Sequence, residues 1–435
     1  MIHTIIDAAL VVFSILVTIQ SGHTLYLTLY TWDRPRSEAA VPEHFRPPEI
    51  SFTVLLPARH EESVIQATIG RVCGANYPRE LIQVLVICSA DDDGTIGKAD
   101  EKIRELGNDN SAEASIVVFD DGPINKPHGL NSALPRANND VIAIFDAEDD
   151  IHPEIFNLVN TIMLDDGVRV VQAGVQLMNF DSTWYSALNV LEYFFWFKSR
   201  LHYHAHAGAI PLGGNTVFFN RELITRMGGW DESNLTEDAD IGLRLSAAGE
   251  PIRVVYDDRY VTKEETPPTI AQFIKQRTRW SQGFIQTLRK GTWKELPGRK
   301  QRWLAFYTLA FPLGQALLGL YVLFSLATML ALKTPVLVAL ISFLPVFMIL
   351  AYFLICVVGL HEFTNAHGLE WSPSSAFRLA AALMPYQLLL SYAALRAVAR
   401  QARGVSDWEK TKHTGAHREH QPATMPREAS DIASR

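Results

Sequence analysis

VIAIFDAEDD, Val141 to Asp150, is an apolar β-rich run closed by a cluster of carboxylates. Three earlier runs have the same form. They are SFTVLL from Ser51 to Leu56, ended by Pro57, then QVLVIC from Gln83 to Cys88, followed by Asp91, Asp92, Asp93 and Gly94, and IVVF from Ile116 to Phe119. A strand buried on both faces is apolar continuously rather than alternately, and all four read that way. Helix-like stretches separate them, the first from Glu62 to Cys73. The pattern predicts βαβ units and a mostly parallel sheet, hence an α/β domain. Ligands of such sheets bind beyond the carboxyl ends of the strands. Acids recur at those ends here: Asp91 to Asp93, then Asp146, Glu148, Asp149 and Asp150. Aspartate also favours turns and helix caps, which would explain one cluster; two at successive strand ends point to a polar cleft.

Neither a Walker A sequence nor GxGxxG follows these strands. A phosphorylated ligand would therefore be held through a hard cation bound by carboxylates rather than by a glycine-rich loop. The formal net charge of −8 opposes nucleic-acid binding, which calls for a basic excess. Cys73, Cys88 and Cys356 lie far apart, form no CxxC pair and suit a reducing compartment.

The chain has 435 residues, of which 48% are hydrophobic and 20% charged, and its mean hydropathy is +0.05. That near-neutral value averages two kinds of sequence. Ile5 to Leu29 is apolar and long enough to cross about 30 Å of hydrocarbon, although Asp7, Gln20 and His23 weaken it. It lacks the basic start and small-residue cleavage site of a signal peptide, so residues 1–35 read as a retained anchor. Residues 48–302 read as the α/β domain. A basic collar (Arg289, Lys290, Lys294, Arg299, Lys300, Arg302) precedes two further spans, Phe306 to Leu332 and Pro335 to Leu360. Ala376 to Val398 is weaker because it carries Arg378, Pro385 and Gln387. Residues 303–400 thus form membrane or interfacial helices, and 401–435 a polar tail expected to be largely disordered.

Arg34, Arg36 and the collar place the middle domain in the cytoplasm by the positive-inside rule. Three C-terminal spans would then put the tail outside, whereas Arg396, Arg400 and Arg403 put it inside. Either the Ala376 segment is interfacial or re-entrant, or an apolar run breaks at Pro312 or Pro345.

Four segments line up in order: PARHEE (Pro57 to Glu62), DAEDD (Asp146 to Asp150), TED (Thr236 to Asp238) and QRTRW (Gln276 to Trp280). With them the chain resembles the membrane-bound family 2 glycosyltransferases of the cellulose-synthase-like and hyaluronan-synthase-like kind, over about Pro48 to Arg289. Each motif alone is weak; TED followed by Q-x-x-R-W, after a DxD-like triplet, is specific. The resemblance implies a GT-A fold flanked by transmembrane helices. It also implies that Asp146 and Glu148 hold Mg²⁺ or Mn²⁺ on a nucleotide-sugar diphosphate, with Asp149 a rival for the second contact. Asp238 would be the catalytic base, beside Glu237. A raised Asp238 pKa would follow from the negative field of Glu237 and Asp240, and a helix-capping cluster is the structural alternative for Thr236 to Asp238.

The same resemblance places Gln276, Arg279 and Trp280 at the acceptor and diphosphate, with Arg suited to bidentate phosphate contact and indole to a sugar face. Arg277 fits either an electrostatic role or a basic face beside the membrane. Gly214 and Asn215, within LGGNT, would form the turn near the acceptor. Pro57, Glu61, Asp91, Lys126, Asn131 and Asp146 would line the donor site. Many relatives carry an Asp pair where Cys88 and Ser89 stand, so a UDP-sugar is implied by the family and not by these residues. The aromatic stretch Trp184 to Tyr203 suits an interfacial helix or a buried one equally, and WEKTKH (Trp408 to His413) resembles the family's gating segments.

The expectation is an inverting, metal-dependent transferase at the cytoplasmic face of the plasma membrane, moving sugar to a glycan or lipid hydroxyl. Processive β-glycan synthesis is the first form, single glucosylation of a lipid such as diacylglycerol the second, and a non-catalytic membrane carrier the remote one. Membrane lipids are partners, nucleic acid is not, and export or accessory subunits are left open.

Overall fold

The computed structural model describes residues 2–32, 41–107, 112–332, 334–411 and 413–418. Arg34, Arg36 and residues 419–435 lie outside the described residues. The four expected strands are present as β1 (Phe52–Pro57), β2 (Ile82–Ser89), β3 (Glu113–Phe119) and β4 (Val141–Ile144). They are joined by β5 (Val170–Ala173), β6 (Val175–Leu177), β7 (Val217–Asn220), β8 (Ile252–Val255) and β9 (Thr262–Glu264). Seven form one sheet in the order β3-β2-β1-β4-β7-β5-β8; β7 runs antiparallel to both β4 and β5, and the other pairs are parallel. β6 and β9 pair separately.

In β1, β2 and β4 the continuous apolar runs are explained by burial on both faces; β3 departs from that expectation, because at the sheet edge only one face is covered and Val118 is exposed. Phe52, Val54 and Leu56 enter one core and Leu55 the other, the period of two that a strand imposes. The core containing Leu55 and Ile144 does not stop at the domain. It continues through the helix Ser186–Phe195 into Cys356, Leu360 and Phe363 and then Leu379 and Tyr386 of the apolar helices. The aromatic stretch is thus largely core: Phe194 and Phe195 are buried, and Lys198 reaches Glu362 at 2.7 Å.

Among the described residues, three helices are long and apolar enough to cross a membrane: His3–Thr28, Arg299–Ala331 and Val336–Ala366. The last is interrupted beside Pro345, between Val336–Ser342 and Leu344–Ala366, while Pro312 lies inside an unbroken helix. Pro373–Ala402 packs along the helix Ile270–Lys290 of the α/β domain and along Arg299–Ala331.

The described part of the tail is ordered. Residues 405–411 and 413–418 are seated on the α/β domain instead of hanging free. Glu265 explains why: its carboxylate accepts from Thr414 Oγ1 at 2.8 Å and from the backbone N–H of Gly415 at 3.2 Å and Ala416 at 2.8 Å. Arg396 pairs with Glu409 at 2.6 Å, so the last helix and the tail are also tied together.

Candidate active site

Between β1 and β4 the sheet reverses its winding, with β2 and β3 to one side and β7 to the other. Such a switch point opens a crevice at the strand ends. Pro57 and Glu61 enter it after β1, Ser89 at the end of β2, and Asp146 and Glu148 after β4. The crevice is one end of a cavity of about 600 Å³ that runs on to Gln20, Gln315 and Gln387 of the long helices.

Lys126 organises the donor end. Asn125 caps its helix, accepting from His128 N at 2.9 Å. The Lys126 ammonium pairs with Asp146 and donates to Gly214 O at 2.7 Å. Burial works against the cation, but Asp146, Glu237 and Asp238 outweigh it and raise its pKa. Asn131 does other work: it donates to Trp230 O and Glu232, both at 2.8 Å, and holds that turn without lining the cavity. Asp91 also stays out of the lining; half exposed, it meets Arg59 at 3.3 Å. Asp92 is buried and accepts from Thr95 N at 3.3 Å, the capping role that the sequence left open.

The acids after β4 divide in the same way. Asp149 is fully buried, with Asn215 Nδ2 3.0 Å from each of its oxygens and Asp146 N at 2.8 Å. Asp150 pairs with Arg71 at 2.9 Å. Asp146 and Glu148 line the cavity, and neither Asp149 nor Asp150 does. Burial pushes Glu148 up to about 8; His413 opposes this, while Glu61, Asp146 and Glu264 add to it. Glu264, on β9, is itself lifted to about 7 by burial and then by Asp146. Four carboxylates drawn together where water is scarce call for positive charge. Glu61, Glu148 and His413 offer ligand atoms within 4.8 Å of one another, and Glu61 Oε2 is buried with no hydrogen-bond partner among the described residues. Those atoms suit a hard divalent cation beside Glu148; Asp146, on the same cavity wall, stands outside that trio and is paired with Lys126.

Glu237 and Asp238 open the helix Glu237–Ala247. Thr236 is its N-cap residue but its side chain makes no capping bond; Asp238 Oδ1 accepts from the first-turn N–H of Ala239 at 2.7 Å, so part of the capping role falls to Asp238. Burial is the first cause of the raised Asp238 pKa, about 6, with Asp146 adding to it. Asp240 contributes little of the expected field, because Arg244 and Lys290 each pair with it at 2.9 Å. Burial and then Asp238 push Glu237 up to about 8.

Positions 276, 279 and 280 share one face of the helix Ile270–Lys290, and all three line the cavity. Gln276 Oε1 is buried and has no hydrogen-bond partner among the described residues. Arg279 lies 4.4 Å from the Trp408 ring. Trp280 is covered by the Arg277 guanidinium at 4.6 Å, and Arg277 is committed to Glu192 at 2.5 Å. The helix comes this near to the TED turn because Gly283 has no side chain; a Cβ there would stand 2.6 Å from Thr236 N.

Sequence reasoning missed Glu264, Tyr193 and Arg200 as lining residues, and it gave no individual role to Lys410 or His413. Lys410 meets Glu61 at 2.9 Å, and His413 bridges Glu61 and Glu148 at 3.0 Å each. Burial disfavours charge on His413, but Glu148 and Glu61 overcome it and lift its pKa to about 9. Only the WEKTKH stretch carried a signal for these contacts.

The profile of the family described as "Glycosyltransferase like family 2" matches residues 47–283. Over 254 residues the chain is 27% identical to the probable glycosyltransferase YdaM of Bacillus subtilis, covering 54% of this chain and 55% of that protein. It is 25% identical over 236 residues to the β-monoglucosyldiacylglycerol synthase of Nostoc sp., covering 54% and 49%. Against the poly-β-1,6-N-acetyl-D-glucosamine synthase of Staphylococcus epidermidis it is 25% identical over 273 residues, covering 62% of each. The chain spans about half the length of the first curated relatives it matches. Among solved structures, the mannosyltransferase PcManGT from Pyrobaculum calidifontis, in complex with GDP-Man and Mn²⁺, has the same fold. Its TM-score is 0.54 at 19% identity, covering 90% of this chain and 99% of that one.

Proposed function

The chain belongs to the glycosyltransferase-like family 2, and from that premise we propose that it is an inverting, metal-dependent transferase acting on an acceptor that enters from the membrane. One observation carries the reading. Asp238 faces the same cavity as Asp146, Glu148 and Arg279, and that cavity continues between the apolar helices.

Asp238 takes the proton of the acceptor hydroxyl as the oxygen attacks the anomeric carbon, and the nucleoside diphosphate leaves from the opposite face. Arg279 and Lys126 face the diphosphate and offset the charge that gathers on it. Asp146 and Glu148 hold Mn²⁺ or Mg²⁺, which when bound supplies further charge stabilisation for the leaving group. Gly214 lets the acceptor and Asp238 approach one another. A UDP-sugar is the proposed donor.

Residues 48–302 are the catalytic domain on the cytoplasmic side of the plasma membrane, residues 1–35 the anchor, 303–400 the membrane and interfacial helices, and 401–435 the tail. The tail's contacts with Glu61 and Glu265 support an even number of crossings between domain and tail. Arg299–Ala331 and Val336–Ala366 would cross, and Pro373–Ala402 would lie at the interface.

The acceptor is lipid-linked in this reading, because Val17, Leu318, Val322, Met348 and Leu388 give the membrane end of the cavity an apolar wall suited to acyl chains. Processive glycan synthesis is favoured instead by Gln20, Gln315 and Gln387 in the same wall. Membranes containing the chain, given labelled UDP- and GDP-sugars with Mn²⁺ or Mg²⁺, test both. The expected product is labelled, metal-dependent and extractable into organic solvent. High-mass aqueous product would select the processive form. No transfer or donor hydrolysis with any sugar would overturn the proposal.

A further inference from the structure

Arg200 has no part in the chemistry above, yet it lines the same cavity. It ends the π-helical turn Trp196–Arg200 that joins Ser186–Phe195 to Leu201–Ala207. Turns of this kind recur at functional sites. Its Nε is buried without a partner, and among the described residues its guanidinium has no ion pair or hydrogen bond. Glu192, a carboxylate in the same wall, is taken by Arg277 at 2.5 Å. The neighbours of Arg200 are rings: its Cζ lies 5.1 Å from Trp196 and 5.9 Å from Phe311.

A cation withdrawn from water without an anion is costly. Cation–π contact offsets part of that cost, but it engages the face of the guanidinium. The N–H edge remains, and its fork matches the oxygens of a phosphate. The same wall holds Gln20 and Thr24 from the first long helix and Thr308 and Gln315 from Arg299–Ala331. Of these polar groups, the Thr24 and Thr308 hydroxyls donate to Gln20 O and Leu304 O, and the Gln315 amide donates to Ser391. Beyond those polar groups stands the apolar wall described above. A fixed cation, a belt of hydroxyl and amide groups and an apolar wall, in that order, are complementary to an amphiphile with an anionic head.

We propose that Arg200 binds the phosphate of a membrane lipid, so that the acceptor is a phosphate-bearing lipid whose hydroxyl portion reaches toward Asp238. The inference rests on the lipid-acceptor reading for its role in transfer, but the binding itself requires no turnover.

The test uses the full chain in detergent and reads bound lipid by native mass spectrometry with phosphatidylglycerol, diacylglycerol or inorganic phosphate. Phosphatidylglycerol should be retained about tenfold or more over diacylglycerol, and Arg200→Gln should remove that preference. Arg200→Lys should restore part of it by keeping the charge. Nucleotide binding by each variant, at the other end of the cavity, reports whether the fold survives. Equal retention of the two lipids by the wild type, or undiminished phosphatidylglycerol binding by a folded Arg200→Gln protein, overturns the proposal. So does binding of inorganic phosphate with no binding of the phospholipid, which would make the site one for a soluble anion. Lipid binding without any sugar transfer would count against the proposed reaction and leave this site standing.

Discussion

Asp238 approaches Gly214 so closely that a Cβ added to the glycine would stand 3.1 Å from its Oδ2 and 3.6 Å from Lys126 Nζ. Asp238, the proposed base, Lys126 on Asp146 and the LGGNT turn are therefore one packed unit. Gly214→Ala must push a group placed for reaction aside by a fraction of an ångström, and displacement by about 1 Å costs about a hundredfold when chemistry depends on alignment. The expected result is a kcat lowered about 3- to 10-fold with nucleotide affinity largely kept. Wild-type turnover in this variant would remove the geometric argument.

Asp238→Asn keeps the shape of the side chain and removes its basicity. Loss of a general base lowers turnover by about 10² to 10⁴. Sugar transfer should fall by that factor while calorimetry finds the nucleotide still bound. Normal transfer would show that another group takes the proton.

The pH dependence follows from the same carboxylate. A base whose pKa burial has raised to about 6 is ionised above that value and protonated below it. The transfer rate should fall about tenfold per unit as pH drops below that pKa, the acid limb expected of a single general base. An acid limb that persists unchanged in Asp238→Asn at its residual rate would assign the titration elsewhere.

Glu265 should govern the tail alone, since its oxygens accept from Thr414, Gly415 and Ala416. Bonds to an ionised acceptor contribute about 1.5–3 kcal/mol each, though not additively. Glu265→Ala should loosen the strap by at least about 2 kcal/mol on that scale. Limited proteolysis after Lys410 should then become rapid, with the α/β domain intact. A tail equally protected in the variant would show that Arg396–Glu409 and His413 hold it unaided.

The central strands were legible because burial on both faces leaves an unbroken apolar run in the sequence. TED and QxxRW were legible because adjacent residues on one turn, or three and four apart on one helix, need no tertiary information to be placed together. Asp91 and Asp149 show the limit. Both stand in acidic clusters after strands, yet one meets Arg59 outside the cavity and the other is enclosed by Asn215. Composition at a strand end does not say which carboxylate turns inward.

The sequence by itself determined the α/β class, the order of the motifs and the two apolar ends, all of which follow from local period and span length. Tertiary structure alone decided that His413 stands between Glu61 and Glu148, that Glu264 joins the acids, and that Arg200 makes no ion pair among the described residues. Those relationships join residues far apart in the chain, and their energies depend on burial and on partners brought by other elements. No local pattern encodes either.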